Sequence, residues 1–284
     1  MCCDPLARYF LDGVFAIIVK SRFLARVVAK YADWKAPGSF DNVVARTRYI
    51  DECLQSCLDG GIDQLVVLGA GNDTRAYRFD GLAAAVKVFE VDHPNTQRVK
   101  KEKVRRVLGE TPLNVVYVPI EFGSQRLDEI LLSSGYDPNL KTLFIWEGVS
   151  YYLATNAVDE VLSFVTTGSG EGSSVIFDYV FRSAIEGTCN LRGAKQSLQA
   201  VARRGEPYIF GMDEESVDEV LSDKGLRVTS HVDGRFSEER YFRPLGRKTR
   251  IACFYGYVHA TVDRMGVRPA ARPSRPRRLR AAVL

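Results

Sequence analysis

The hydrophobic pattern of the chain changes character after Gly61. Before that point, apolar residues recur at helical spacing and predict two short helices within residues 4–35 and a longer helix over Asn42–Leu58. After it, short β-branched runs alternate with helical segments. Such alternation is typical of βαβ units, so the pattern predicts an α/β fold with a doubly wound, mostly parallel sheet covered by helices on both faces.

Five buried strands and two closing strands are predicted, with helices between them. Capping residues and proline mark the starts of these helices, at Pro94, Ser124, Thr155 and Asp213. The strands are expected at Gln64–Gly69, Val86–Asp92, Asn114–Pro119, Lys141–Trp146, Ser173–Val180, near Leu226–His231 and near Arg250–Val258.

The domain organisation follows from the same pattern. Residues 1–60 are expected to form an N-terminal helical cap, and residues 61–260 an α/β domain. Residues 181–211 have no clear period and are expected to form a cap or lid inserted into that domain. Residues 261–284 are rich in Arg, Pro and Ala, and are expected to be a basic, disordered tail.

The charge of the chain is concentrated in this tail. The net charge is +4, but the segment from Asp263 to Leu284 contributes +6, which leaves the body slightly acidic. A folded surface that binds DNA or RNA is expected to be basic, so the body is predicted not to bind nucleic acid. With 46% hydrophobic and 26% charged residues among 284, the body has the balance of a globular domain.

Cysteine usage and hydropathy indicate a cytoplasmic protein without a metal. The six cysteines are scattered without paired CxxC units, and there are three histidines, so no metal site is expected. Cys53 and Cys57 are four residues apart on an apolar helix face and are predicted to be buried free thiols. The apolar run Val14–Val19 is far shorter than the roughly 18 residues of a membrane span, and no membrane partner is predicted.

A glycine-rich turn follows the first predicted strand, with Gly69, Gly71 and Asp73 before Thr74. Glycine lets the backbone approach a ligand without a Cβ in the way. A dinucleotide fingerprint requires a third glycine where Thr74 stands, and Asp73 would repel a pyrophosphate. S-adenosylmethionine has no phosphate and carries an ammonium and a sulfonium, so the charge pattern favours this cofactor. A tight turn without a ligand is the alternative interpretation.

Carboxylates and an aromatic residue follow the next two strands. Glu90 and Asp92 lie about 20 residues beyond the glycine turn, where an acid can accept hydrogen bonds from ribose hydroxyls. Their spacing puts both on one face of the strand and does not choose between them; Asp92 alternatively caps the next helix. After the third strand, Glu121 and Phe122 are candidates for binding adenine, and an exposed loop acid is the alternative.

Arg46 and Glu147 are the charged residues placed for the other end of such a cofactor. Arg46 lies on the apolar face of the helix over residues 42–58, and a guanidinium is rarely buried without an anionic partner. The partner is either a structural acid or the carboxylate of the cofactor, for which a bidentate arginine is well shaped. Glu147 follows the fourth strand and is a candidate for the cofactor ammonium. Tyr151 and Tyr152 either line the acceptor pocket or pack in the core.

Together these segments resemble the leucine carboxyl methyltransferase family, including a bacterial branch similar to tetracenomycin-type polyketide O-methyltransferases. The resemblance covers about residues 4–258. It is carried by Asp4-Pro5, Ala45-Arg46-Thr47-Arg48, Gly69-Ala-Gly71-x-Asp73-Thr74-Arg75, Phe89-Glu90-Val-Asp92 and Glu147-Gly148-Val-x-Tyr151-Tyr152.

The resemblance implies a seven-stranded class I methyltransferase sheet whose last strand is antiparallel. It implies that Arg46 binds the cofactor carboxylate, that Gly69 lies at the cofactor, that Asp92 binds the ribose and that Glu147 lies near the methionine moiety. Glu121-Phe122 stands where the family usually has Asp-Leu, which is a departure at the adenine contact.

The expected activity is O-methylation of a carboxylate or hydroxyl of a small molecule, polyketide-like by the resemblance. A protein C-terminal carboxylate is the alternative acceptor, and a catalytically silent relative that only binds the cofactor is a further alternative. A carboxylate acceptor needs no general base, whereas a phenol does. The candidates for such a base are Tyr152 and His93, with His231 also available, and each has an equally ordinary structural interpretation.

Overall fold

An eight-stranded sheet runs through the part of the chain that the computed structural model describes, which comprises residues 4–11, 13–19, 21–246 and 251–263. Seven strands follow the order β3-β2-β1-β4-β5-β8-β7, and β6 pairs with β5. The strands are β1 (Gln64–Leu68), β2 (Lys87–Asp92), β3 (Val115–Pro119), β4 (Thr142–Trp146), β5 (Ser174–Phe181), β6 (Gly211–Met212), β7 (Leu226–Asp233) and β8 (Tyr255–Val262).

The sheet confirms the doubly wound prediction. Strands β1 to β6 pair in parallel, and β8 runs antiparallel to both of its neighbours. The order reverses at β1, where β2 lies on one side and β4 on the other, and this reversal opens a crevice at the carboxyl ends of the strands. Two details differ from the sequence prediction: the short β6 adds an eighth strand, and β8 begins at Tyr255, five residues later than expected.

Helices cover both faces of the sheet, and three of their starts differ from the predictions. The helix after β3 begins at Leu127 without a cap from Ser124, Thr155 lies inside its helix after Ala154, and Asp213 makes no capping hydrogen bond. The helices are α1 (Gly13–Ile18), α2 (Arg22–Lys35), α3 (Ser39–Asp59), α4 (Arg75–Arg78), α5 (Asp80–Ala85), α6 (Pro94–Leu108), α7 (Leu127–Ser133), α8 (Thr155–Thr167), α9 (Arg182–Ile185), α10 (Ala194–Ala202), α11 (Val217–Asp223) and α12 (Gly234–Ser237).

The core lies on both faces of the central strands. Every residue of β1, β4 and β5 is buried, which explains why their sequences are continuous apolar runs rather than alternating ones. Among the residues of these three strands, Asp178 in the middle of β5 is the one with a charged side chain, and it is fully buried. Its position at the inner edge of the crevice matters for the site.

The segment over residues 181–211 is tied to the body rather than separate from it. It contains α9, α10 and the start of β6. The amides of Ile209 and Phe210 both donate to the carbonyl of Tyr151, and the hydroxyls of Ser39 and Ser197 are 3.0 Å apart. The predicted tail lies almost entirely outside the described residues. Within those residues, no helix is both long and apolar enough to cross a bilayer.

Candidate functional site

A groove with a volume of about 420 Å³ opens at the carboxyl ends of β1 and β4. Its walls come from α3, from the turn between β1 and α4, and from the segment that follows β4. Parallel α/β sheets bind ligands at this edge, beside the point where the strand order reverses. The groove brings together five residues singled out in the sequence, namely Arg46, Gly69, Gly71, Asp73 and Glu147.

The glycine turn has a structural reason that differs from the expected one. Gly69 has a φ of +67°, and a Cβ there would overlap Cγ2 of Val149. Gly69 is therefore required by a left-handed backbone and by close packing against the segment after β4, and its backbone also lines the groove. Gly71 has a φ of +41°, and a Cβ there would meet nothing closer than 3.8 Å.

The structure separates the two carboxylates of β2. Glu90 is 1% exposed, and its Oε2 lies 2.9 Å from Nζ of Lys100, so it is a buried ion-pair partner that does not line the groove. Burial raises the pKa of Glu90, and Lys100 opposes that effect. Asp92 instead accepts a hydrogen bond from the amide of Gly71 at 2.5 Å. Asp92 therefore holds the glycine turn, whose residues line the groove, although Asp92 itself does not line it.

Arg46 is bound by acids inside the site. Its Nε donates to Glu147 Oε1 at 2.9 Å, and its Nη1 donates to Asp178 Oδ2 at 2.6 Å and to the hydroxyl of Tyr151 at 3.3 Å. Two of the three guanidinium nitrogens thus already have hydrogen-bond partners. Because Nε donates to Glu147, it is not available for the expected bidentate binding of a ligand. Among the described residues, Nη2 has no hydrogen-bond partner and remains a donor for a ligand in the groove.

Arg75 is the main site residue that the sequence interpretation missed. It is 2% exposed; its Nε donates to Asp51 at 2.8 Å, and its Nη1 lies 2.5 Å from Asp73 and 2.7 Å from Glu147. Asp178, the buried partner of Arg46, was missed as well. Asp178 carried a signal, because it interrupts an apolar strand. Arg75 carried little, because Asp73 is the one acid close to it in sequence, and Asp51 and Glu147 come from other elements.

The groove is lined by three carboxylates and three guanidinium groups, and two further carboxylates, Asp51 and Asp178, pair with these guanidinium groups without lining the groove. Burial raises the pKa of Glu147, but Arg75 and Arg46 outweigh burial and lower it to about 2, so this carboxylate is ionised at neutral pH. The residues that line the groove and their ion-pair partners comprise five carboxylates and three guanidinium groups, a formal excess of two negative charges. These residues are Asp4, Asp51, Asp73, Glu147 and Asp178, with Arg46, Arg75 and Arg78.

Three more of the predicted residues, in addition to Glu90 and Asp92, do not line the groove. Glu121 follows β3 and its side chain is 61% exposed, with Oε1 3.9 Å from Nε2 of His93. His93 caps α6, where its Nδ1 accepts from the amide of Asn95, and it lines no part of the groove. Phe122 lines a separate depression between α7 and α8. These three side chains therefore lie outside the groove that holds Arg46 and Glu147.

Tyr152 belongs to an aromatic cluster behind Arg46. Its ring centroid lies 4.9 Å from that of Tyr151 and 5.1 Å from that of Tyr208, and Tyr255 completes the cluster 6.1 Å from Tyr151. Burial raises the pKa of Tyr152 above its usual value. A tyrosine whose proton is held more tightly is a poor general base, so core packing is the better supported role of this side chain.

The two cysteine thiols of α3 are less buried than predicted. Cys53 and Cys57 are free and half-buried rather than fully buried. Burial raises the pKa of Cys53 to about 11, which keeps it protonated. Within residues 4–11, 13–19, 21–246 and 251–263, no group of three or more His, Cys, Asp or Glu side chains is placed to hold a metal ion.

Comparison with known proteins relates the sequence of the chain to a protein family and its fold to a solved structure. The model of the leucine carboxyl methyltransferase family matches residues 1–166. YktD of Bacillus subtilis, named as an inferred S-adenosyl-L-methionine-dependent methyltransferase, is 30% identical over 219 residues, which cover 76% of this chain and 71% of the relative. A Mycobacterium avium protein named in the same way is 31% identical over 217 residues, with 74% and 67% of the two chains covered. The crystal structure of an inferred methyltransferase from Thermobifida fusca covers 91% of this chain and 93% of its own at a TM-score of 0.60 and 15% identity.

Proposed function

Because the chain belongs to the leucine carboxyl methyltransferase family, we propose that it transfers a methyl group from S-adenosylmethionine to a carboxylate or hydroxyl oxygen of a small molecule. Membership of the family makes it a methyltransferase that uses this cofactor. The observation that carries the proposed site is the groove at the reversal point of the sheet, which holds Arg46, Asp73 and Glu147 together.

The groove fits S-adenosylmethionine in charge and size. The cofactor carries one carboxylate, one ammonium and one sulfonium, so its net charge is positive. An excess of two carboxylates around the groove complements that charge, and the same excess would repel the two phosphates of a dinucleotide. A volume of about 420 Å³ lies within the range of small-molecule sites.

The described side chains suggest which groups hold each end of the cofactor. The remaining donor of Arg46, at Nη2, suits the carboxylate of the cofactor, and the carboxylates of Glu147 and Asp73 suit its ammonium. Asp92 suits the ribose hydroxyls, because it lies at the end of β2 against the glycine turn. The adenine would lie towards the end of β3, where Glu121 and Phe122 remain the proposed contacts.

S-adenosylmethionine supplies an activated methyl group, so the residues of this chain mainly orient the two reactants and exclude water. No histidine lines the groove, and Tyr151 and Tyr152 have pKa values raised by burial. An acceptor that is already an anion at neutral pH requires no base. These observations favour a carboxylate over a phenol among the two proposed acceptors.

The test uses S-adenosylmethionine labelled in its methyl group. The chain is incubated with a bacterial metabolite extract and, separately, with peptides that have a free C-terminal carboxylate; each product is then treated with mild base. A methyl ester releases labelled methanol, and a methyl ether does not. Label in small molecules supports the proposal. Label in C-terminal peptides alone would move the acceptor to proteins, and no transfer to any fraction despite cofactor binding would indicate a silent relative.

A further inference from the structure

Helices α1 and α2 expose a large apolar surface. Phe23 and Trp34 on α2 are 73% and 69% exposed, and Val14 and Phe15 on α1 are 69% and 60% exposed. The two helices pack against each other, and further apolar side chains on them are exposed as well. Contiguous apolar patches on soluble proteins mark interaction sites, whereas scattered single residues do not. We call this patch the N-terminal apolar face; it comprises Val14, Phe15, Ile17, Val19, Phe23, Leu24, Val27, Tyr31 and Trp34.

The side chains of α2 form an ordered pattern around the helix. Phe23, Val27, Tyr31 and Trp34 are spaced by four, four and three residues and therefore form one stripe, and all of them are exposed. The small residues Ala25 and Ala29 occupy the opposite side and are half-buried.

Basic residues border this stripe on both sides. At 100° per residue, Arg26 and Lys30 fall along one edge of the stripe and Lys35 along the other, and all three are exposed. The acid of this helix, Asp33, accepts a hydrogen bond from the amide of Gly38 at 2.8 Å. Basic side chains that flank an exposed stripe with Phe, Trp and Tyr are typical of helices that lie in the plane of a membrane interface.

We propose that the N-terminal apolar face docks onto an anionic lipid bilayer. Charge selects this occupant over a second copy of the chain. Two copies packed face to face would bring the net positive charge of each α2 close to the other, whereas anionic headgroups neutralise Arg26, Lys30 and Lys35 while the stripe enters the acyl boundary.

The apolar surface continues towards the groove. α2 packs against α3, and Phe40 and Val43 in the first turns of α3 are 58% and 46% exposed. Val43 also lines the groove. The expectation of no membrane partner rested on the absence of a bilayer-spanning run, but an interfacial helix does not require one.

The test is co-sedimentation of the full chain with vesicles of phosphatidylcholine alone or with added phosphatidylglycerol. We expect binding to the anionic vesicles that weakens with salt, and a fall of at least about tenfold for Phe23→Ser/Trp34→Ser. The charge variant Lys30→Gln is expected to bind about fivefold more weakly. The matched control is Leu113→Ser/Leu132→Ser, which removes two exposed apolar side chains elsewhere and should bind like the parent.

Two further measurements keep the result interpretable. A chain that ends at Asp263 lacks the basic tail and should keep its vesicle binding, since the proposal assigns binding to α2. Binding of S-adenosylmethionine by each variant reports that it is folded. Equal affinity for neutral and anionic vesicles, loss of binding on removal of the tail alone, or a dimer that Phe23→Ser/Trp34→Ser dissociates would each overturn the proposal.

Discussion

Nη1 of Arg75 lies 2.7 Å from Oε2 of Glu147, so the residue that follows the glycine turn holds the residue that follows β4. The two come from opposite sides of the reversal point of the sheet. Glu147 also binds Arg46 from α3 through its other oxygen. A carboxylate between two guanidinium groups thus joins three elements of the groove, and the predictions below follow from that network.

Replacing Arg75 with alanine should destabilise the fold strongly. The substitution removes the cation shared by Asp51, Asp73 and Glu147. Asp51 keeps Arg78 and Glu147 keeps Arg46, but Asp73 loses its guanidinium partner. Loss of one partner from a buried ion pair costs about 3–5 kcal/mol. Arg75→Lys keeps the charge but loses the planar fork, so part of the loss should remain. The free energy of unfolding in urea measures both variants.

The matched control is Arg126→Ala. Arg126 also contacts two carboxylates, Asp128 and Glu129, but its side chain is 69% exposed. Removing exposed ion pairs of this kind should leave the midpoint of urea unfolding unchanged. Equal losses for Arg75→Ala and Arg126→Ala would show that the buried network does not stabilise the fold.

Gly69→Ala should destabilise for two separable reasons. The left-handed φ of +67° costs an L-residue about 1–2 kcal/mol, and the new Cβ would overlap Cγ2 of Val149. Gly123→Ala isolates the first effect, because Gly123 has a φ of +85° and a Cβ there meets nothing within 4 Å. In thermal unfolding, Gly69→Ala should lose more stability than Gly123→Ala, and adding Val149→Ala should recover part of the difference. No recovery would contradict the packing explanation.

Acid should remove the contribution of Glu147. Its pKa is lowered from 4.5 to about 2, so the stabilisation is complete above 4.5 and is lost as the pH falls towards 2. Between about pH 6 and about pH 3 the loss should be roughly 2 kcal/mol. Glu147→Gln is uncharged throughout and should lack this part of the pH dependence. Parallel pH profiles of the parent and the variant, from urea unfolding, would show that Glu147 is not held ionised.

Asp178→Asn should weaken cofactor binding through Arg46. Asp178 does not itself line the groove, but it accepts hydrogen bonds from two residues that do, Arg46 through Nη1 at 2.6 Å and Gly148 through its amide at 2.6 Å. Loss of a charged hydrogen bond that orients Arg46 should raise the Kd for S-adenosylmethionine about tenfold or more. The control is Asp213→Asn, because the side chain of Asp213 is 55% exposed, pairs with Arg182 and does not line the groove. An unchanged Kd in Asp178→Asn would remove Asp178 from the site.

The sheet was predictable because burial leaves a direct trace in the sequence. The strands on both sides of the reversal point are continuous apolar runs, and their predicted bounds differ from the observed ones by a residue or so. The closing strand was placed less well, because Tyr255–Val262 is preceded by apolar residues that are buried outside the sheet, such as Ile251 and Phe254.

The sequence predicted five residues that line the groove, but not Arg75 or the contacts among these side chains. The helical periodicity predicted that Arg46 lies on the inner face of its helix. Asp92 and Glu147 were singled out because each stands at the end of a predicted strand. Tertiary packing decides which side chains form contacts. The two-residue period of a strand puts Glu90 and Asp92 on the same face, and only the structure shows that Glu90 pairs with Lys100 on α6. The same limit hid the three carboxylates that converge on Arg75, since they come from different elements.

The central claim is that the groove beside Arg46 binds S-adenosylmethionine. Equilibrium dialysis with the labelled cofactor tests it directly, using Arg46→Ala and, as the control on the outer face of the same helix, Arg48→Ala. We expect the parent and Arg48→Ala to bind alike, Arg46→Ala to bind at least about tenfold more weakly, and NAD not to compete. Equal affinity in all three proteins, or displacement of the label by NAD, would contradict the account.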